Sequence, residues 1–298
     1  MAAIENVEIP FKGPGKYNLH AIGDFQLGSE SCNKILIRRA VEEICEDSNA
    51  MVVIPGDIED NDRPSTRMMR ARTFSDRPEV LNSDGQKHLA WVDKEVIPIL
   101  APLTKLPIGI IGVLAGHHWS QLTSSLNSVQ YICGRLSEMS GKRIPYLGEM
   151  SAWIFLRFRG TGVLAKMAIT KLVHVQHGAG GGQTLASALT RLERTAQGFP
   201  ADVYIRAHDC KLIAAKSVEV YPKDTEGEPE LLNKDIVMLN IGSATQGYNI
   251  GTGAPDYVEA QMMRPTAMGW GSVQFNLRRA PVWEDAGRNW KTDLRVTI

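Results

Sequence analysis

The chain has 298 residues, of which 33 are Lys or Arg, 33 are Asp or Glu and 43% are hydrophobic. A chain of this length buries enough apolar surface to fold without disulfides or a structural metal, so any metal site in it is expected to serve function. The formal net charge of zero argues against a protein that coats nucleic acid or an anionic membrane, because neither sign dominates the long-range field.

The cysteines and the apolar stretches indicate a reduced protein of the cytoplasm. The first 15 residues lack the basic segment and apolar core of a secretory signal. The most apolar stretch, 96–116, holds Lys105 and three prolines, and it falls short of the roughly 18–20 uninterrupted apolar residues of a membrane span. We therefore expect a soluble cytoplasmic protein with no membrane partner. The four cysteines form no CxxC pair or closely spaced framework: Cys32, Cys45, Cys133 and Cys210.

The first half of the chain alternates short apolar runs with helical patterns. The predicted elements, in order, are a strand at 18–23, a helix at 34–45, a strand at 51–55, a helix at 86–100 and a strand at 107–115. Ser29 and Ser31 precede the first helix and are candidates to cap it. Alternation of strand and helix predicts βαβ units with a partly parallel sheet.

The second half is richer in strands. Residues 152–159 and 165–175 predict a hairpin around Gly160-Thr161-Gly162, and 184–195 predicts an amphipathic helix. Four further strands are predicted at 203–207, 211–220, 235–241 and 272–277. Because no repeat or low-complexity linker divides the two halves, we expect one domain over residues 1–298, with two sheets packed as a sandwich and flanked by helices.

Polar side chains follow several of the predicted strands. Ligands gather beyond the carboxyl ends of strands in open α/β sheets, so these side chains are expected to converge. Their carboxylate, imidazole and thiol groups are ligands of divalent transition metals. The segments are Asp24-Phe25-Gln26, Gly56-Asp57-Ile58-Glu59-Asp60, Gly116-His117-His118, His177-Gly178 and His208-Asp209-Cys210.

These five segments resemble the motifs of the calcineurin-like metallophosphoesterase superfamily, which are D-x-H, GD-x-x-D, GN-H, H and GH-x-H. The match in order and spacing runs from Asp24 to Cys210, about two thirds of the chain. The run from His177 to Gly182 and the later Gly242-Ser243 and Tyr257-Val258-Glu259 segments are similar to small bacterial and phage members. The resemblance implies an α/β fold of four layers, an αββα sandwich of two mixed β-sheets flanked by helices.

The resemblance also implies two metal positions that share Asp57 as a bridging carboxylate. The first position would be held by Asp24, Gln26, Asp57 and Cys210, and the second by Asp57, His117, His177 and His208. The ions would polarise the phosphoryl oxygens of a phosphoester substrate and lower the pKa of a bound water to about 7. His118 corresponds to the family's histidine beside the leaving group, and Asp60 to the carboxylate that orients this histidine.

The sequence departs from the family pattern at three ligands. His117 replaces an asparagine, which gives the second position three imidazoles and a carboxylate, a set suited to Zn²⁺, Fe²⁺ or Mn²⁺. Gln26 and Cys210 replace histidines at the first position, where a neutral amide is a poor ligand and a thiol binds only as thiolate. We therefore expect one or two divalent ions (Mn, Zn or Fe), with a tight second site and a weaker or altered first site.

Three functions remain open from the sequence. The first is a metal-dependent phosphoester hydrolase, either a phosphomonoesterase or a phosphodiesterase, in which metal-activated water attacks phosphorus and His118 assists the leaving group. The second is a degenerate family member that binds metal or a phosphorylated ligand without turnover. The third is a nucleic-acid-processing phosphodiesterase or nuclease whose arginines contact the phosphate backbone: Arg63, Arg67, Arg70, Arg72 and Arg77.

Several other residues are expected to be structural. His20 and His174 lie within strand patterns and are interpreted as histidines with satisfied hydrogen bonds, whereas His88 is interpreted as an exposed helix residue. Residues 178–182 are predicted to form a tight backbone turn, because they lack the spacing of a nucleotide-binding loop. Three cysteines are expected to behave as small hydrophobes: Cys32, Cys45 and Cys133. The sequence does not indicate the oligomeric state.

Overall fold

Two β-sheets lie face to face and carry helices on their outer faces. The computed structural model describes residues 3–29, 31–60, 83–180, 182, 184–225, 228–245, 267–279 and 290–298. The large sheet has the strand order β1-β5-β6-β7-β9-β8 and the small sheet the order β11-β10-β2-β3-β4. The strands are β1 (Ala3–Phe11), β2 (Gly15–Ala21), β3 (Ala50–Ile54), β4 (Gly109–Val113), β5 (Ser151–Gly160), β6 (Ala168–Gln176), β7 (Val203–Arg206), β8 (Ile213–Thr225), β9 (Glu228–Asn240), β10 (Gly271–Arg279) and β11 (Trp290–Thr297).

Helical turns occur at all three segments that were predicted to be helical, 34–45, 86–100 and 184–195. The second helix passes through a π-helical turn, Val92–Val96, and the third is followed by a 3₁₀ turn, Ala101–Lys105. Among the helices that the structure describes, none is long and apolar enough to cross a membrane. The described helices are α1 (Lys34–Cys45), α2 (Ser83–Trp91), α3 (Ile97–Leu100), α4 (Ser128–Ser140) and α5 (Leu185–Gly198).

Both sheets are mixed. Strands β2, β3 and β4 run parallel to one another in the small sheet, as β6, β7 and β9 do in the large sheet. Antiparallel pairs complete each sheet, among them β5 with β6, β8 with β9 and β10 with β2. Each sheet therefore has a group of three neighbouring parallel strands that end together, and this is the arrangement that brings ligands from distant segments to one edge.

Alternation along the strands builds the layers. In β3, Met51 and Val53 belong to the core between the sheets, whereas Val52 and Ile54 face the helices, as expected when successive side chains point to opposite faces. The outer face of the small sheet packs against α1, α3 and α4, and Leu192 of α5 packs on the large sheet. The predicted α/β fold, with four αββα layers, is confirmed. The single-domain organisation stays a prediction.

The structure adds elements that the sequence reading omitted. Strand β1 is one of them, a half-exposed edge strand along which polar and apolar residues alternate. Helix α4 carries recognisable signals: Asn127 and Gln130 form a reciprocal capping box, and Gly141 ends the helix at a φ of 66°. The cap of α1 is Asn33, whose Oδ1 accepts from the N–H of Leu36 at 3.0 Å. The candidate caps Ser29 and Ser31 were therefore wrong.

Candidate metal centre

The predicted ligand residues meet where the parallel strands of the two sheets end. Asp24, Asp57 and His117 follow β2, β3 and β4 of the small sheet, while His177 and His208 follow β6 and β7 of the large sheet. Asp24 joins the two groups, because its Oδ2 accepts from the backbone N–H of His208 at 2.8 Å. The edge of the sandwich therefore gathers residues that are up to 184 positions apart in the sequence.

Four of these side chains form a tight cluster of metal-binding groups. Asp57, His117, His177 and His208 each offer a donor atom, and these atoms all lie within 4.8 Å of one another. His117 Nδ1 and His208 Nδ1 are 3.2 Å apart, and His177 Nε2 lies 3.1 Å from Asp57 Oδ2. Three imidazoles and one carboxylate at this spacing suit a divalent transition metal. The donor set equals the second position that the family resemblance implies.

Asp57 is held in place by the peptide groups of a neighbouring turn. Its Oδ1 accepts from the backbone N–H groups of His117 at 2.6 Å and His118 at 3.0 Å. Gly116 makes this approach possible, because a Cβ added there would lie 2.6 Å from Asp57 N, and its φ of 78° also favours glycine. Both features direct Oδ2 of Asp57 towards His177.

The ring of His177 has a defined orientation. Its Nδ1 donates to the carbonyl oxygen of Pro55 at 2.9 Å, which fixes the ring. The opposite nitrogen, Nε2, is buried and makes no hydrogen bond among the described residues. A histidine that ligates a metal usually donates one ring N–H to a carbonyl oxygen in this way and turns its other nitrogen, freed of its proton, to the ion. The residues present therefore fit a bound cation.

Strained backbone conformations occur in the segments that carry the predicted metal ligands. The non-glycine residues with positive φ in the described part of the chain all belong to the predicted metal motifs. A residue in this region costs on the order of 1–3 kcal/mol, and such strain clusters at active sites and ligand clamps. These residues are Asp24 (48°), Gln26 (50°), Asp57 (52°), His208 (76°) and Cys210 (51°).

The first metal position is less complete than the second. Asp24 is buried, and its Oδ1 has no hydrogen-bond partner among the described residues and lies 3.9 Å from His177 Nδ1. Cys210 Sγ donates weakly to the carbonyl oxygen of its neighbour His208 at 3.6 Å. Neither Asp24 nor Cys210 belongs to the cluster of converging donors. Gln26 takes part through its backbone, donating its N–H to the carbonyl oxygen of Asp57 at 3.1 Å.

Burial and close contact shift the pKa values of these groups. Burial raises the pKa of Asp57, but its contact with His177 outweighs burial and leaves that pKa well below its usual range. Burial lowers the pKa of His177, and Asp57 more than reverses this to about 9. Burial, with the charge of Asp57, raises the pKa of Asp24 to about 7. Burial lowers the pKa of His208 to about 4, and burial raises that of the Cys210 thiol well above 9. Negative charge is thus concentrated on Asp57, where a cation would bind.

His118 stands beside the cluster with a carboxylate partner. Its Nδ1 donates to Asp60 Oδ1 at 3.0 Å, and its Nε2 lies 3.9 Å from Asp57 Oδ2. Burial lowers the pKa of His118, but the hydrogen bond to Asp60 and the charges of Asp57 and Asp60 outweigh it, so the pKa is raised above 6.5. The side chain is 36% exposed. His118 is therefore a partly exposed imidazole that Asp60 holds beside the cluster.

The structure corrects two interpretations of histidines outside the cluster. His88 is not an exposed helix residue, because its side chain is 13% exposed and its Nε2 lies 2.8 Å from Oε2 of the fully buried Glu59. His174 lies on β6 as predicted, but both of its ring nitrogens are buried without hydrogen-bond partners among the described residues. His20 Nε2 is 3.8 Å from Asp47 Oδ2, beyond hydrogen-bonding distance. These strand histidines are therefore not satisfied as expected.

The other cysteines behave as expected, and one predicted segment cannot be placed. The apolar cluster beneath α1 and α4 includes Cys133, and Cys32 and Cys45 pack against it. Residues 61–80, which hold the five arginines, lie outside the described residues. Sequence reasoning missed the charged side chains around Asp209, since nothing local shows that Arg191 and Arg206 meet there.

The fold and the site together define an α/β protein of two mixed sheets with an Asp/His cluster able to bind a metal. No family model matches the chain, and no curated protein sequence matches it significantly. Among the solved structures that are similar to the chain, two share 11% identity with it. GAP50, the anchor in the inner membrane complex of Plasmodium, has a TM-score of 0.40 over 94% of this chain and 89% of its own. The calcineurin-like phosphoesterase YfkN from Bacillus subtilis has a TM-score of 0.37 over 95% and 90%. With TM-scores this low, neither similarity identifies the activity of this chain.

Proposed function

We propose that the chain is a metal-dependent phosphoester hydrolase. The proposal is carried by the convergence of four metal-binding side chains within 4.8 Å, where the parallel strands of the two sheets end. These side chains are Asp57, His117, His177 and His208. These four side chains would hold a divalent ion. When bound, such an ion polarises phosphoryl oxygens and lowers the pKa of a coordinated water towards neutrality. The five family-like motifs in order along the sequence support the same assignment.

The chain's own residues supply the proton for the leaving group. Burial lowers the pKa of His118, but Asp60 and Asp57 outweigh it and raise that pKa, which favours the protonated form that a leaving-group acid needs. Asp60 holds the ring through Nδ1, which leaves Nε2 on the side of Asp57 and the cluster. A group in this position can donate a proton to the departing alkoxide, a step that contributes roughly 10²–10⁴ in rate.

We propose further that the tight position is the second one and that the first is weak. Asp24 and Cys210 lie outside the converging cluster, and the Cys210 thiol donates to a carbonyl instead of facing the other donors as a thiolate. Gln26 adds only a neutral amide, which is a poor transition-metal ligand. The same observation favours one second candidate, a family member that binds metal or a phosphorylated ligand without turnover.

One experiment separates these candidates. The purified protein is dialysed against a chelator, reloaded with Mn²⁺, Zn²⁺ or Fe²⁺, and assayed on p-nitrophenyl phosphate and bis(p-nitrophenyl) phosphate. Asp57→Asn should abolish most metal binding and hydrolysis, because it removes the buried charge at the centre of the cluster. Asp84→Asn is the matched control, since Asp84 is exposed and pairs with Lys87 at 3.7 Å on α2.

The outcomes are distinct. Metal binding with no hydrolysis of either substrate would favour the binding protein over the enzyme. Failure of the parent protein to retain any of the three metals would refute the site itself. Nucleic acid as a substrate stays a prediction, and steep loss of DNA binding between low and moderate salt would support it.

A further inference from the structure

A second group of charged side chains lies behind the candidate metal centre. Asp209 sits between His208 and Cys210 in the sequence, and it is buried together with Arg206 and Lys211. Arg191 of α5 reaches the same carboxylate from the other side. Buried charges are costly unless they are paired and hydrogen-bonded, so such a group needs a structural or functional reason.

Each carboxylate oxygen of Asp209 receives one arginine. Arg191 Nη1 donates to Oδ1 at 2.6 Å, and Arg206 Nε donates to Oδ2 at 3.1 Å. Two cations on one carboxylate fix both the position and the rotation of the side chain. Because Asp209 is covalently joined to His208, the same contacts restrain the turn that carries this imidazole.

The same cations also hold the segment that follows His177. Arg206 Nη2 donates to the carbonyl oxygen of Ala179 at 3.2 Å, and Arg191 Nη1 donates to that of Gly180 at 3.0 Å. The ammonium group of Lys211 donates to the carbonyl oxygens of Gly182 and, at 3.3 Å, Asp209. Two separate chain segments, one starting at His177 and one at His208, are therefore tied to a single buried carboxylate.

The turn at His208 needs such restraint. His208 and Cys210 both have positive φ, at 76° and 51°, a conformation that persists only where the surroundings enforce it. The rings of His177 and His208 lie with centroids 5.2 Å apart across the cluster. A small relative movement of the two segments would change the spacing of two of the three imidazoles.

We propose that Asp209, clamped by Arg191 and Arg206, is a positioning residue that keeps the imidazoles of His177 and His208 at metal-binding spacing. The inference rests on the proposed function, since it takes these histidines as metal ligands. Residues that orient ligands from behind typically change metal affinity about 10- to 100-fold when they are removed.

The test measures metal affinity and coordination rather than turnover. The chelator-treated protein is titrated with Co²⁺, and the visible absorption of the bound ion reports ligand geometry. Arg191→Ala and Asp209→Asn should each weaken Co²⁺ binding about 10- to 100-fold and alter the spectrum. Arg191→Lys, which keeps one cationic donor for Asp209, should restore part of the affinity. Arg194→Ala is the matched control, because Arg194 lies exposed on the same helix.

Thermal unfolding without metal shows whether each variant is folded. Arg191 is 24% exposed, so Arg191→Ala decides the matter if Asp209→Asn fails to fold. A folded Arg191→Ala that binds Co²⁺ with the affinity and spectrum of the parent overturns the proposal, as does a loss of stability with an unchanged Co²⁺ complex. If the parent protein binds no Co²⁺ at all, the proposed function fails instead.

Discussion

Gly56 allows a close backbone approach in the candidate metal centre, and replacing it with alanine should damage both the fold and the metal site. A Cβ added at Gly56 would lie 2.7 Å from His177 Nδ1, 2.8 Å from Gly116 Cα and 2.9 Å from Gly116 N. All three distances are below those of real carbon contacts. Two of the three atoms belong to the backbone, and the third is fixed by its hydrogen bond to Pro55.

Two contributions set the expected loss of unfolding free energy in Gly56→Ala. The φ of Gly56 is 116°, a region that side-chain-bearing residues rarely adopt, and forcing alanine into it costs on the order of 1–3 kcal/mol. Inserting a methyl group into a packed site costs roughly 1–3 kcal/mol more. The free energy of unfolding should therefore fall by about 2–6 kcal/mol, a large share of the roughly 5–15 kcal/mol of a typical domain.

Gly134→Ala is the matched control. Gly134 lies on α4 with no atom within 4 Å of an added Cβ, and alanine should stabilise the helix by about 0.5–1 kcal/mol. Urea denaturation measures both free energies, and Co²⁺ titration measures the metal affinity. Gly56→Ala should lose stability and affinity together because the alanine displaces His177 or Gly116. Parental stability and affinity in Gly56→Ala would refute this reasoning about close approach.

Three further predictions follow from the same geometry. His118→Asn should retain its metal and lose roughly 10²–10⁴ of the rate on bis(p-nitrophenyl) phosphate; hydrolysis at the parental rate would show that His118 is not the acid. Elemental analysis after chelator dialysis should find close to one metal equivalent per chain, and two tightly held equivalents would contradict a weak first position. Burial lowers the pKa of His174 from 6.5 to about 4. Between these two pH values the unfolded chain binds more protons than the folded one, so the free energy of unfolding falls as the pH falls. At pH 5 this costs the folded state up to about 2 kcal/mol, which His174→Leu should remove. Urea denaturation of both proteins at pH 7.5 and pH 5 checks this, and equal losses in the two would exclude His174.

Much of the local structure could be predicted because short-range patterns cause it. The helix at 34–45 has the bounds of α1, since apolar residues at helical spacing meet the face of the small sheet. Strand β3 was predicted from a short apolar run, which is typical of a strand that is buried on both faces. Strand β1 was not predicted, although its polar and apolar residues alternate, and its pairing with β5 is a long-range contact that only the tertiary structure shows. The exposed position predicted for His88 was wrong for a similar reason, since Glu59 contacts it from another segment.

The sequence by itself determined the buried strands that precede the candidate ligands, because a buried strand is a short apolar run and the polar ligands follow where that run ends. It also determined the chemical character of the candidate donors, from Asp24 to Cys210. Only the tertiary structure decided which donors converge. Four side chains meet within 4.8 Å and Cys210 does not join them, because the pairing of distant strands and the strained turns set those distances. The clamping of Asp209 by two arginines likewise exists only once α5 packs against the large sheet.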